Sequence, residues 1–131
     1  MPSGRWMIPK GEVRRLRGGR NPEIQAELRT IAEIASWMLK NRFRDAIVDV
    51  KLFGSVARGE ADEESDVDLL TVVKDKIDES ELERELGDMI YDIMLATGRF
   101  VQLLIYKESG FEDAKSWNPT VRNILREGIK L

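Results

Sequence analysis

The fold of this chain is decided by two short runs, Lys51-Leu52-Phe53-Gly54-Ser55 and, ten residues later, Asp66-Val67-Asp68-Leu69-Leu70. The first is an apolar, strand-like segment that ends in Gly-Ser, and the second opens another apolar segment with Asp-x-Asp. Because side chains alternate along a strand, Asp66 and Asp68 are predicted to share one face of it. The glycine lets the backbone turn sharply at the end of the first strand and lets a ligand approach closely.

The two runs together predict a phosphate site beside a cation site. Ser55 is predicted to cap a short helix and to offer its hydroxyl and backbone N–H to a phosphate, and Arg58 to add a charged contact. Gly-Ser alone is weak evidence, because the dipeptide is common in ordinary turns and would by itself favour a strand-ending turn. Two neighbouring carboxylates repel each other unless a cation lies between them, and divalent cations bridge carboxylates to triphosphate oxygens. The combined pattern therefore predicts that Gly54, Ser55, Asp66 and Asp68 hold a nucleoside triphosphate and Mg²⁺.

The composition narrows the chemistry that this site can perform. The 131 residues include no cysteine and no histidine. Thiolate metal sites and imidazole bases are therefore excluded, and a hard cation bound by oxygen ligands is favoured. No apolar run approaches the roughly 20 residues of a membrane span, and residues 1–20 lack the apolar core of a signal peptide. A cytoplasmic protein without membrane contact is the resulting expectation.

Residues 1–20 differ in charge from the rest of the chain. Six basic side chains stand there against Glu12 alone, although the whole chain has a net charge of −3. The segment also contains Pro2, Pro9 and four glycines without sustained periodicity, so it is predicted to be a weakly ordered basic arm. Contact with nucleic acid through this arm is one interpretation, but a solvated leader is favoured. The sequence then predicts one domain over residues 21–131.

Hydrophobic periodicity within that domain predicts the order α-β-β-α-β-α. Asn21-Pro22 and Asn118-Pro119 are typical helix starts, and Ser80-x-x-Glu83 resembles a capping box. The fold class is α/β (α+β), a small mixed β-sheet with helices mainly on one face. The predicted helix caps are at 21, 80 and 118, and the predicted strands cover 46–53, 66–73 and 100–106.

Gly54-Ser55, ten residues, then Asp66-x-Asp68, with Arg58-Gly59 in between, resembles the signature of the minimal nucleotidyltransferases of the DNA polymerase β superfamily. The resemblance covers roughly residues 22–131, including the closing run from Asn118 to Gly128. It implies a palm-like nucleotidyltransferase fold in which Gly-Ser binds ATP and the Asp pair ligates Mg²⁺ and carries catalysis. It also implies a HEPN-type toxin as the partner, because many members are antitoxins and some of them transfer AMP to a toxin tyrosine.

The sequence departs from the family pattern at the third carboxylate, which the family places on the next strand of the sheet. In the segment 100–106 the only polar residue inside the strand is Gln102, at the place where the motif would have Asp. Glutamine cannot serve as a base and is a poor substitute for a bridging carboxylate. Asp49, Asp92 and Glu108 are the alternatives for the third carboxylate.

Two functions from different classes follow. The first is a Mg²⁺-dependent nucleotidyltransferase that moves AMP from ATP to a hydroxyl of a partner protein. It would be the antitoxin of a HEPN/MNT pair, that is, a HEPN-type toxin with a minimal nucleotidyltransferase (MNT). The second is a catalytically weakened module that binds nucleotide or protein and neutralises its partner by contact. The Gly-Ser and Asp-x-Asp pair favours the first, and Gln102 favours the second. Nucleotide addition to RNA is less favoured because the chain offers no second domain to hold such an acceptor.

Overall fold

The computed structural model describes residues 21–131, so the predicted basic arm, 1–20, lies outside the described residues. A four-stranded mixed sheet forms the centre, with the strand order β3-β2-β1-β4. β1 pairs antiparallel with β2 and with β4, whereas β2 pairs parallel with β3. The strands are β1 (Ile47–Phe53), β2 (Val67–Val73), β3 (Val101–Lys107) and β4 (Ile129–Lys130).

The helices begin where capping residues predict them in two of three cases. The side chain of Asn21 accepts hydrogen bonds from the backbone N–H groups of Glu23 and Ile24, and Asn118 caps the last helix in the same way. The third prediction was wrong, because Asp78 rather than Ser80 caps the helix after β2. The helices are α1 (Pro22–Phe43), α2 (Gly54–Ala57), α3 (Glu79–Thr97), α4 (Glu108–Ala114) and α5 (Pro119–Glu127), and a 3-10 turn (Arg44–Ala46) joins α1 to β1.

Alternation along the strands divides the core between the two faces of the sheet. On one face the long helices α1 and α3 cover Val67 and Leu69 of β2. On the other face the short helices α4 and α5 cover Leu70 and Val72. The mixed α/β sheet with its two long helices on one face is confirmed. The second face is less open than expected, since α4 was not predicted: its seven residues bury only Phe111 and Ala114, too few for a helical period to show in the sequence.

Two further differences bear on the site. β2 begins at Val67, whose N–H donates to the carbonyl of Phe100, so Asp66 stands one residue before the strand rather than inside it. β4 was missed because it contains two residues and forms only by pairing with Lys51 and Leu52 of β1. No helix in residues 21–131 combines the length and the apolarity that a bilayer crossing requires.

Candidate functional site

The predicted site residues come together at one end of the sheet, where β1 finishes and β2 and β3 begin. Phe53, the last residue of β1, is in register with Asp68 on β2. Asp68 is in register with Gln102 on the neighbouring β3. Because the pairing is direct, the end of the Gly-Ser strand, the Asp-x-Asp strand and the strand with the predicted third position lie side by side. By alternation, Asp68 and Gln102 lie on the sheet face that α4 and α5 cover.

Position 54 requires glycine for two reasons, its backbone conformation and the closeness of Asp68. Its φ of 78° lies in the left-handed region that side chains other than glycine rarely adopt. A Cβ built at this position would overlap the carboxylate of Asp68, since its distance to Cγ is 3.2 Å and the nearer oxygen is closer still. The turn after β1 therefore lies directly against the second carboxylate of Asp-x-Asp, and the absence of a side chain keeps that contact open.

Gly54→Ala should disrupt this contact, and Gly59→Ala provides a matched control. Gly59 has a φ of 73°, but a methyl group added there would meet nothing within 4 Å. Both changes should lower the free energy of unfolding by about 1–3 kcal/mol through backbone strain. Only Gly54→Ala should also displace Asp68 and weaken binding of Mg²⁺-ATP. Urea denaturation and calorimetry measure the two effects, and equal nucleotide affinity in both variants would contradict the assigned contact.

Ser55 does not cap the short helix α2, contrary to the sequence prediction. The helix begins at Gly54, its N-cap position is Phe53, and no side chain makes a capping hydrogen bond there. The Ser55 hydroxyl instead donates to Oγ of Ser65 at 3.0 Å, which in turn accepts from the backbone N–H of Asp62 at 3.0 Å. The Gly-Ser turn is thereby tied to the residue that precedes Asp66.

A residue that the sequence analysis missed, Gln25, also holds this loop in place. Its Nε2 donates to the carbonyl of Val56 at 2.8 Å, and its Oε1 accepts from the N–H of Ala61 at 3.1 Å. The backbone N–H of Asn21 donates to the carbonyl of Ala61 at 3.0 Å. The first turn of α1 therefore positions the segment that connects Gly-Ser to Asp-x-Asp. Nothing in the local sequence could have shown a contact over 31 residues.

Arg58 follows α2 and is one of the residues that line a small cavity. Its Nε forms an ion pair with Glu60 at 3.0 Å. The cavity has a volume of about 190 Å³ and brings α5 against the Gly-Ser turn, with apolar walls from Phe53 and Ile124. Its other lining residues are Gly54, Arg58, Thr120, Asn123 and Glu127.

The electrostatics of the carboxylate pair favour a bound cation. Burial raises the pKa of Asp68 above its ordinary value of 3.8, the neighbouring Asp66 raises it further, and Arg58 opposes the shift. Both larger causes penalise the charged form. A divalent cation would remove much of this penalty, because it compensates both the lost hydration and the repulsion. Carboxylate oxygens, such as those of Asp66 and Asp68, are the ligands that Mg²⁺ prefers.

The raised pKa predicts a pH-dependent stability in the absence of divalent cations. The folded chain binds the Asp68 proton more tightly than the unfolded chain does, so this residue's contribution to the free energy of unfolding falls as the pH rises through the interval between 3.8 and the raised pKa. Asp68→Asn should therefore stabilise the metal-free protein at pH 7, by about 0.5 kcal/mol because solvent screens this half-exposed group.

The gain should disappear at about pH 3, where Asp68 is protonated in both states. Urea denaturation at both pH values, without divalent cations, measures the difference. A loss of stability at pH 7 would instead show that the Asp68 carboxylate has a structural role.

Gln102 lies within the candidate site. In addition to its register with Asp68, its Nε2 donates to Oδ2 of Asp66 at 3.2 Å. The amide thus lies beside the carboxylate pair and donates a hydrogen bond to Asp66, which a carboxylate could not do. Within residues 21–131 no group of three or more acidic side chains could hold a metal ion.

The three alternatives for the third carboxylate lie elsewhere. Asp49 is in register with Val72, about 13 Å along β2 from Asp68 by strand rise, and forms an ion pair with Lys51 at 3.6 Å. Asp92 lies on α3, which packs on the opposite face of the sheet. Glu108 follows the far end of β3. None of them therefore completes the Asp66 and Asp68 pair.

Residues 28–131 match the family described as "Nucleotidyltransferase domain". The chain therefore belongs to this family. Two proteins of Methanocaldococcus jannaschii, each named "Putative protein adenylyltransferase", are 33% identical to the chain over 90 residues. The match covers 69% of this chain and 83% of the first, and 66% of this chain and 58% of the second. The chain is thus related to proteins named as adenylyltransferases.

Solved structures give the same fold. A structure described as a "putative minimal nucleotidyltransferase" is 31% identical, with a TM-score of 0.50, and the match covers 82% of this chain and 95% of that one. A nucleotidyltransferase structure from Sulfolobus solfataricus has a TM-score of 0.55 at 18% identity, with 82% of both chains covered. A toxin-antitoxin structure with AMP-PNP has a TM-score of 0.50 at 19% identity, over 75% of this chain and 70% of that one. The last two likenesses concern the fold alone.

Proposed function

We propose that this cytoplasmic protein is a Mg²⁺-dependent nucleotidyltransferase that transfers AMP from ATP to a hydroxyl of a HEPN-type toxin, as the antitoxin of the pair. The observation that carries the proposal is the alignment of Gly54, Asp68 and Gln102 at the adjoining ends of three strands. The relatives named as protein adenylyltransferases support AMP transfer to protein, and the toxin-antitoxin structure with AMP-PNP supports the partner class.

The residues around Gly54 divide the nucleotide between two regions. The turn at Gly54 and Ser55, with Arg58 after it, takes the triphosphate, because its backbone is open and its cation matches phosphate charge. The cavity of about 190 Å³ beside it takes the nucleoside. Phe53 and Ile124 offer it apolar walls, whereas the Glu127 carboxylate disfavours a phosphate there. This arrangement directs the α-phosphate towards Asp66 and Asp68.

The reaction forms one bond and breaks one bond. The acceptor oxygen attacks the α-phosphorus, the bond from that phosphorus to the bridging oxygen breaks, and pyrophosphate leaves. Mg²⁺ held by Asp66 and Asp68 would neutralise charge on the phosphate oxygens. The hydroxyl proton must pass to solvent or to a carboxylate of the pair, because Gln102 has no acid–base capacity in this range. Gln102 instead orients Asp66 through the hydrogen bond from Nε2.

A transfer assay tests the proposal. The protein is incubated with ATP labelled at the α-phosphate, Mg²⁺ and a purified HEPN-type protein from a neighbouring gene. Label on a tyrosine, serine or threonine of that protein, dependent on Mg²⁺, is the expected result. If the two proteins form a complex but all of the label stays in free nucleotide, the proposed AMP transfer is contradicted.

That second outcome would support a specific alternative, neutralisation of the toxin by contact. The observation that favours it is the amide at Gln102 in a site where the described residues supply only two carboxylates. In this function the nucleotide, if bound, stabilises the fold rather than reacting. Binding of the partner would then be insensitive to ATP hydrolysis products and to Mg²⁺.

A further inference from the structure

An apolar groove runs along the outer side of β3, on the sheet face that α3 covers. We call it the β3 groove; its volume is about 510 Å³. Leu86, Gly87 and Ile90 of α3 line one side, and Phe100, Leu103 and Ile105 line the other. Phe100 is 39% exposed, although a large apolar side chain is usually buried. The groove thus presents apolar surface beside a strand.

The strand that borders the groove is the edge of the sheet. Within residues 21–131, β3 pairs only with β2, and it stands first in the strand order. Alternate backbone N–H and C=O groups of its seven residues therefore point away from the sheet. Such an edge binds another extended segment through backbone hydrogen bonds, while neighbouring pockets take its alternate side chains. A helix cannot satisfy these groups, because its own backbone is already paired.

Gly87 keeps the groove open at some expense to the helix. It lies in the interior of α3, where glycine is less favourable than almost any other residue. Neither packing nor backbone conformation requires it, because a Cβ there would meet nothing within 4 Å and its φ is not positive. A side chain at this position would project into the β3 groove. We therefore interpret Gly87 as a residue that keeps this part of the β3 groove open, because it has no side chain.

The β3 groove and the candidate active site lie on opposite faces of the sheet, and β3 borders both of them. Gln102 lines the groove and also donates to Asp66. The other flank of the carboxylate pair is occupied by Gly54 and the cavity assigned to the nucleoside. Side chains of an extended segment paired with β3 would alternate between the two faces of the sheet. Those that do not enter the groove would lie on the face of Gln102, where an acceptor hydroxyl has to meet the α-phosphate.

We propose that the β3 groove binds an extended segment of the acceptor protein, which adds to the sheet beside β3 and presents its tyrosine, serine or threonine hydroxyl next to Asp66. This inference rests on the proposed transfer of AMP and names the mode in which the acceptor is recognised. The segment carries apolar side chains at alternate positions, which enter the groove between Gly87 and Phe100. Glu83, at the rim, favours a basic residue at one end of the segment.

Filling the groove tests the proposal without touching the nucleotide site. Gly87→Trp places a large side chain in the groove, and Asp88→Trp places the same side chain at the next, exposed position of α3, outside the groove. With the purified HEPN-type protein as acceptor, Gly87→Trp should reduce AMP transfer by about a hundred-fold or more, because the hydroxyl is no longer positioned. Asp88→Trp should retain wild-type transfer. Both variants should keep the thermal stability and Mg²⁺-ATP affinity of the wild type.

Hydrogen exchange provides a readout that does not depend on catalysis. Amides of β3 should exchange more slowly in the complex with the acceptor than in the free protein, and Gly87→Trp should remove that protection. Unchanged exchange along β3 in a complex that forms would overturn the inference, as would full transfer by Gly87→Trp. Protection that appears at high concentration without acceptor would assign the edge to a second copy of this chain and overturn it as well.

The failures of the two proposals are distinguishable. Loss of the complex in Gly87→Trp together with no transfer by the wild type would leave the docking mode standing and remove the chemistry. Transfer by every variant, with β3 unprotected, would leave the chemistry standing and remove the docking mode. A wild type that neither binds nor modifies this protein would remove both.

Discussion

We expect the double substitution Asp66→Asn and Asp68→Asn to abolish Mg²⁺-dependent binding of ATP. The two carboxylates stand together at the start of β2, and burial and mutual repulsion raise the pKa of Asp68. We therefore expect a cation to gain most of its binding free energy from them. Removing both should weaken the affinity for Mg²⁺-ATP by at least about a hundred-fold, equivalent to about 2.7 kcal/mol. Isothermal titration calorimetry with and without Mg²⁺ measures this change.

A second pair of aspartates provides the control for net charge. Asp88 and Asp92 are exposed on α3, which packs on the opposite face of the sheet. Asp88→Asn with Asp92→Asn removes the same number of negative charges and should leave the affinity unchanged. Equal Mg²⁺-ATP affinity in the wild type and the Asp66 and Asp68 double variant would mean that the site lies elsewhere.

The second large effect is expected from Gln102→Asp. The side chain is in register with Asp68 and within hydrogen-bonding distance of Asp66, so an aspartate there would face the pair. It would add a ligand for the cation and a base for the acceptor hydroxyl. A positioned general base contributes about a hundred-fold to ten-thousand-fold in rate. Gln102→Asp should therefore raise AMP transfer to the HEPN-type protein by a factor in this range, or switch it on.

Gln102→Asn and the metal dependence separate this effect from a change in folding. Gln102→Asn keeps an amide and shortens the side chain as aspartate does, so it should not raise transfer. Without Mg²⁺, Gln102→Asp should be less stable than Gln102→Asn, because a third carboxylate adds repulsion, and Mg²⁺ should reverse that order. A wild type whose rate is already as high as that of Gln102→Asp would show that two carboxylates are sufficient.

The sequence by itself determined the parts of this protein that depend on near neighbours. Asn21-Pro22 and Asn118-Pro119 predicted helix starts because capping is a contact within three residues. Apolar runs predicted three strands to within a residue at either end. The closeness of Gly54 to Asp68 and of Asp66 to Asp68 could be expected, because a glycine turn ends one predicted strand and the two carboxylates stand two residues apart at the start of the next.

Only the tertiary structure decided what depends on strand register and on contacts distant in sequence. The sequence left Asp49, Asp92, Glu108 and Gln102 open for the third position, and the parallel register of β2 with β3 places Gln102 alone beside the pair. Gln25, the cavity beneath α5 and the β3 groove likewise arise from segments far apart in the chain. Register is set by the packing of whole elements on the sheet, and no local pattern encodes it.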